Sequence, residues 1–317
     1  MKYRELGRSG LKVSEIGFGA WAIGGDAYGP TSDRESLEAL EAAWDRGINF
    51  FDTADSYGKG RSESLLAQFL KGKPRGDVCV ATKAGWDFYQ APVRKRFDAA
   101  YLGFALERSL RRLKAEAVDL FWLHNPPLEL IQSGEAADVL KELKKAGKIR
   151  FGGISVHRVE EAQSALEFPE VEALQIPFNV MDTRMEAVFA EAVRKKTALA
   201  AREPLASGWL SGKYPADFEF PKGDHRRRWH ADKLRADEEK FRLLCGVVPK
   251  AGWPKAALEF VLSRGEIASV LVGIKQAQQA RDNAEASESP ELTQNQIMAL
   301  SRLFKEEPIF QQGLNPR

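Results

Sequence analysis

The chain has 317 residues, 44% hydrophobic and 29% charged, an ordinary globular composition with ample apolar mass for a large buried core. With 47 basic against 45 acidic side chains the formal charge is +2, which excludes partners held by bulk charge, so small molecules rather than nucleic acid or membrane are the expected partners. Cys79 and Cys245 make no disulfide framework, Met1 to Leu6 holds no signal-peptide core, and no run approaches a membrane span; a cytoplasmic protein is expected.

Tyr3 to Leu6 and Leu11 to Val13, flanking Gly7-Arg8-Ser9-Gly10, predict an opening hairpin. Apolar runs then predict eight strands, at 16–19, 48–52, 78–82, 118–123, 149–154, 172–176, 197–201 and 269–272. Ser32-Asp33-Arg34-Glu35 reads as a capping box opening a helix whose stripe is Leu37, Leu40 and Trp44 and whose stop is Gly47. Leu102, Leu106, Leu110 and Leu113 line a second helix, Val139, Leu140 and Leu143 a third before Gly147, and Thr183-Arg184-Met185-Glu186 is expected to open another as Ser32 does. Strands alternating with helices predict an α/β fold, a (β/α)8 or TIM barrel over residues 1–317 as one domain. Residues 212–236, with their Pro, Gly and charge, read as a long loop after strand seven.

Four ionisable residues fall at or just past the ends of three successive strands: Asp52 and Tyr57, Lys83, and His124. Side chains at the C-terminal ends of barrel strands open onto the loop face, where such barrels carry their chemistry. Other signatures fail. Gly17-Phe18-Gly19 is followed by Ala20-Trp21-Ala22 and lacks the last glycine of a dinucleotide fingerprint. No phosphate loop, Gly-x-Ser-x-Gly, HExxH or CxxC occurs, so no metal is expected.

A tyrosine with an ordinary pKa of about 10 is a sluggish acid at neutral pH. An ammonium roughly 4 Å away favours phenolate by up to about 4 kcal/mol, near three pKa units, before desolvation takes some back. Lys83 is expected to tune Tyr57 in this way, Asp52 to keep Lys83 charged, and His124 to hold a substrate oxygen. Such a site protonates an oxygen, which fits carbonyl reduction and enolisation equally.

Phe51-Asp52-Thr53-Ala54-Asp55-Ser56-Tyr57-Gly58, Ala81-Thr82-Lys83 and Leu123-His124 together resemble the aldo-keto reductases, in order and over essentially the whole chain. The resemblance implies an NAD(P)H-dependent oxidoreductase in which hydride passes from C4 of the nicotinamide to a carbonyl carbon while Tyr57 protonates the oxygen. Lys83 and Asp52 would tune Tyr57, and His124 would orient the carbonyl. Substrates would be aldehydes, ketones or sugar carbonyls, or the alcohols in reverse.

The same resemblance implies cofactor contacts at Ala20, at Ser155 and Gln175 for the nicotinamide carboxamide, and at Pro204, Leu205, Ser207, Gly208, Leu210 and Lys213 for the pyrophosphate. Val156 stands where many members have Asn, and Arg202 where many stack an aromatic ring; its planar guanidinium can stack instead. Gly273, Lys275, Gln279 and Asn283 resemble the adenosine segment, with Lys275 favouring NADP(H) over NAD(H) and Gln279, where several NADPH-preferring members have Arg, weakening that preference. Trp21 and Trp86 are expected at an aromatic substrate mouth. The run Arg226-Arg227-Arg228 is either a solvated face or a closure over the cofactor phosphates. Two other functions fit parts of the pattern: a non-catalytic, cofactor-sensing regulatory subunit, or a Schiff-base aldolase or isomerase with Lys83 as nucleophile.

Overall fold

A computed structural model describes residues 1–25, 27–215 and 217–312. Eight parallel strands close into a barrel: β1 (Ile16–Gly19), β2 (Phe50–Asp52), β3 (Cys79–Ala84), β4 (Val118–His124), β5 (Ile149–Ser155), β6 (Ala173–Pro177), β7 (Ala198–Arg202) and β8 (Ile267–Gly273), each bonded to the next and β8 to β1. All eight lie where the apolar runs predict them. Residues Val118–Leu123 and Ile267–Val272 are buried throughout, because one face meets the helices and the other the barrel lumen, and this is why both runs are apolar except at Asp119 and Ser269.

Strand edges shift for local reasons. β2 starts two residues after the predicted 48, because the Asn49 side chain leaves the strand pattern to accept from Ser14 N at 2.7 Å and donate to Lys12 O at 2.9 Å. β3 continues to Ala84 because Thr82, Lys83 and Ala84 still pair with Phe121, Trp122 and Leu123.

The lumen is filled from below by Phe50, Ala81, Leu120, Trp122 and Ala200, together with Leu6 and Val13 of the N-terminal hairpin. That hairpin pairs Tyr3–Glu5 with Lys12–Ser14 and is fastened by Arg4, whose guanidinium donates to the carbonyls of Leu262, Arg264 and Ile267. With the N-terminal end of the lumen plugged by described residues, the C-terminal end is where a ligand is expected.

Ser32 forms the predicted capping box on the helix Asp33–Asp45. Helices Ala99–Leu113 and Glu135–Lys145 follow the predicted stripes, and Ala277–Glu288, after β8, packs on Asp33–Asp45 to close the outer ring. Two expectations need correction. Thr183 forms no side-chain cap and the segment Arg184–Val188 is a tight 3-10 turn before the helix Phe189–Lys195, because the Glu186 carboxylate is drawn away to Arg264 Nε at 2.9 Å. The predicted loop at 212–236 ends early, since a helix begins at Ala231; its Ala216, like residues 313–317 of the predicted domain, lies outside the described residues. Among the described residues no helix is long and apolar enough to cross a membrane, and no group of three or more His, Cys, Asp and Glu could hold a metal ion.

Candidate active site

Asp52 ends β2, Lys83 is the penultimate residue of β3, and His124 ends β4, so three adjacent strands deliver the ionisable groups to one rim. Tyr57 arrives by a turn. Its N–H donates to Ala54 O at 3.2 Å, and Gly58 follows at φ 58° with its Cα pressed on the β1 loop, where a Cβ would stand 2.3 Å from Gly24 O. Only glycine fits there, and the contact seats Tyr57 over the rim. Arg61 reinforces it by donating to Ile23 O and Gly24 O at 3.0 and 3.2 Å.

Lys83 Nζ lies 2.5 Å from Asp52 Oδ2, 2.8 Å from Thr53 O and 4.8 Å from the centroid of the Tyr57 ring. Asp52 Oδ1 accepts from Trp122 Nε1 at 2.9 Å and Gln175 Nε2 at 3.0 Å. Room for that indole comes from Gly153 on β5, where a Cβ would meet the Trp122 ring at 2.5 Å. Burial lifts the Asp52 carboxyl, while Asp52 and Tyr57 together outweigh burial and hold Lys83 above its ordinary value. With three donors on Asp52 and a carbonyl on Lys83, the charged pair is the form this geometry sustains.

Tyr57 departs from the expected direction. Burial outweighs the Lys83 charge and raises Tyr57 above an ordinary tyrosine, so the hydroxyl stays protonated at neutral pH. His124 packs edge-on to Tyr57 with centroids 6.0 Å apart, and burial, with Lys83 next in effect, holds it well below an ordinary histidine, as a neutral ring. Behind Tyr57, neither oxygen of buried Asp55 has a hydrogen-bond partner among the described residues, and burial raises it well above the usual carboxylate range.

A cavity of about 930 Å³ opens over this rim and runs across the barrel mouth to β8. Asp52, Tyr57 and His124 line it; Lys83 lies beneath, wholly buried. Of the residues expected to hold a cofactor, Ala20, Ser155, Gln175, Arg202, Pro204, Leu205, Ser207, Gly208, Lys213, Gly273, Lys275 and Gln279 line it as well. Leu210 and Asn283 do not: Leu210 is core, and Asn283 is buried on the helix after β8. Trp21 and Trp86 are both on the wall, Trp21 stacked on Tyr57 with centroids 6.0 Å apart.

The loop after β7 is tortuous, with Glu203, Ala206, Ser207 and Gly208 all at positive φ. Buried Ser207 Oγ, His124 Nδ1 and Arg202 Nε lack hydrogen-bond partners among the described residues, and each belongs to a residue on the cavity wall. Partnerless polar atoms clustered around one cavity suit a polar occupant. Arg202 is otherwise tethered to Val156 O at 2.9 Å, His157 Nδ1 at 2.8 Å and the Glu203 carboxylate. The arginine run divides. Arg226 is buried, paired with Asp224 at 2.7 Å, bonded to Ser207 O at 3.1 Å and enclosed by Tyr28, Tyr214 and Phe220, whereas Arg227 and Arg228 are exposed.

A model of the Aldo/keto reductase family matches residues 15–304. The chain belongs to the aldo-keto reductase family. Aldo-keto reductase YhdN of Bacillus subtilis is 34% identical over 245 residues, covering 76% of this chain and 71% of the relative. The uncharacterized oxidoreductase YqkF of the same organism is 31% identical over 320 residues, covering 97% and 98%. The holo form of aldo-keto reductase AKR11C1 from Bacillus halodurans superposes with a TM-score of 0.80 at 29% identity, covering 96% of both chains. This aldo-keto reductase is therefore an oxidoreductase of the nicotinamide-dependent class that acts on small carbonyl compounds.

Three residues of the reductase's site escape sequence reasoning. Trp122 lies inside an apolar run that reads as core, Asn125 inside an Asn-Pro-Pro turn, and His157 past the end of β5. Each has the same faint signal, a polar-capable side chain within two residues of a strand's C-terminal end.

Proposed function

We propose that this enzyme reduces aldehydes, ketones or sugar carbonyls, and oxidises the corresponding alcohols, with Tyr57 as general acid/base and with NADP(H) preferred to NAD(H). The observation that carries the reading is the Lys83 ammonium, clamped by Asp52 and lying 4.8 Å from the Tyr57 ring beneath the cavity. When bound along that cavity, the reduced nicotinamide supplies hydride to the carbonyl carbon.

Tyr57 begins protonated because burial raises it, which suits an acid. As its proton leaves for the substrate oxygen, the adjacent Lys83 charge stabilises the phenolate left behind. Neutral His124 can donate one hydrogen bond to that oxygen and orient it. Trp21 and Trp86 offer flat apolar faces to the substrate, and the tethered Arg202 guanidinium offers one to the nicotinamide. A Schiff-base role for Lys83 fits poorly, because attack needs a neutral amine and its partners hold this one charged.

The cofactor preference rests on Lys275, which lies just before the helix Ala277–Glu288 and donates to Tyr28 O and Gly29 O at 3.1 and 3.4 Å. Lysine charge beside a helix N-terminus favours a phosphate. Gln279 accepts from the N–H of Lys275 and Gln276 and so caps that helix. The test is oxidation of NADPH and NADH with panels of aldehydes, ketones and sugars. Turnover with at least one carbonyl and a higher kcat/KM for NADPH is expected; no turnover with either cofactor contradicts the reading, and a higher value for NADH contradicts the preference.

A further inference from the structure

The Ser155 hydroxyl donates to Asn125 Oδ1 at 3.0 Å and lies 3.5 Å from Gln175 Oε1, so three polar side chains, from just past β4 and from β5 and β6, meet on the cavity wall. We propose that the Asn125 amide is a further ligand of the cofactor's nicotinamide carboxamide, donating Nδ2–H to the carboxamide oxygen; this rests on the nicotinamide-dependent reading above.

Asn125 is held for such a task. It follows the last residue of β4, where His124 pairs with Ser155, and its backbone takes φ 58°, a left-handed conformation that asparagine tolerates better than most residues. Its N–H donates to Leu123 O at 3.1 Å and its carbonyl accepts from Lys95 Nζ at 2.9 Å, so the peptide groups before and after it are each held.

The polarity of the two amides is set by their protein partners. Gln175 commits its Nε2 to Asp52 Oδ1, leaving Oε1 as an acceptor toward Ser155. Asn125 commits Oδ1 to Ser155, leaving Nδ2 as a donor with no hydrogen-bond partner among the described residues. A primary carboxamide carries an acceptor oxygen and a donor NH2, the complement of that pair. Val156 supplies nothing here, since its side chain is fully buried away from the cavity.

Two variants test the assignment. Asn125→Asp has nearly the same shape and exchanges the donor for an acceptor; Asn125→Gly keeps the left-handed backbone and removes the amide. Dissociation constants for NADP⁺ and NAD⁺, and for 2′-phospho-ADP-ribose and ADP-ribose, which lack the nicotinamide, are measured by quenching of tryptophan fluorescence. Both variants should bind the dinucleotides about tenfold more weakly while binding the nicotinamide-free compounds within about twofold of wild type. Unchanged dinucleotide affinity overturns the proposal, as does equal weakening of both ligand classes, which would mark a structural role. Wild-type protein that binds neither dinucleotide overturns the nicotinamide reading itself, and this inference with it.

Discussion

Lys83 and Asp52 form a 2.5 Å ion pair whose side chains are only 1% and 6% exposed, so each is the other's neutraliser inside the barrel. Removing one partner strands the other charge, which costs about 3–5 kcal/mol. Lys83→Met should therefore lose that much unfolding free energy in urea, and Lys83→Met with Asp52→Asn should recover part of it while both stay inactive. A double variant no more stable than Lys83→Met contradicts a neutralising pair.

His157 predicts an acid limb in stability. Burial and the Arg202 charge lower it from 6.5 to about 4, and the guanidinium, always a donor, requires an unprotonated Nδ1 at 2.8 Å. A histidine lowered in the folded state takes up its proton sooner in the unfolded chain, so its contribution is complete above pH 6.5 and is lost as pH falls toward 4. That amounts to up to about 3 kcal/mol across the window. His157→Gln, which keeps an acceptor for Arg202, should flatten this part of the profile of unfolding free energy against pH; an unchanged slope contradicts it.

Asp55 predicts the opposite sign. Burial and the nearby Glu63 charge raise its carboxyl, so folding takes up a proton whenever the unfolded chain holds Asp55 ionised. The cost begins above the ordinary carboxylate value of 3.8 and grows with pH, by up to about 1.4 kcal/mol per unit, until the folded group itself ionises. Asp55→Asn avoids it and should be more stable than wild type at neutral pH, the gap closing on acidification. An Asn variant less stable at neutral pH would mean that Asp55 is charged in the fold.

How far the sequence reveals this site depends on whether the information is local. β4 and β8 are legible because strands buried on both faces become almost wholly apolar runs, and Asp52, Lys83 and His124 are legible because ionisable residues end such runs. Burial of Tyr57 has no local signature, which is why the Lys83 effect looks dominant from sequence although desolvation is larger. The Thr183 cap fails through Arg264, 78 positions from Glu186. Arg226 is separated from Arg227 and Arg228 by its contacts with Asp224, with Ser207 O and with a ring cage assembled from Tyr28, Tyr214 and Phe220. Trp122 reads as packing because nothing in a run of apolar residues marks the indole N–H that holds Asp52.

The central claim is that Tyr57 moves the proton while other groups hold the cofactor, and Tyr57→Phe separates the two. The variant is titrated with NADPH and NADH by fluorescence quenching and assayed for carbonyl reduction beside wild type. Cofactor affinity should stay within about twofold while kcat falls roughly 10²- to 10⁴-fold, the usual worth of a positioned acid. Turnover near the wild-type rate would contradict the account.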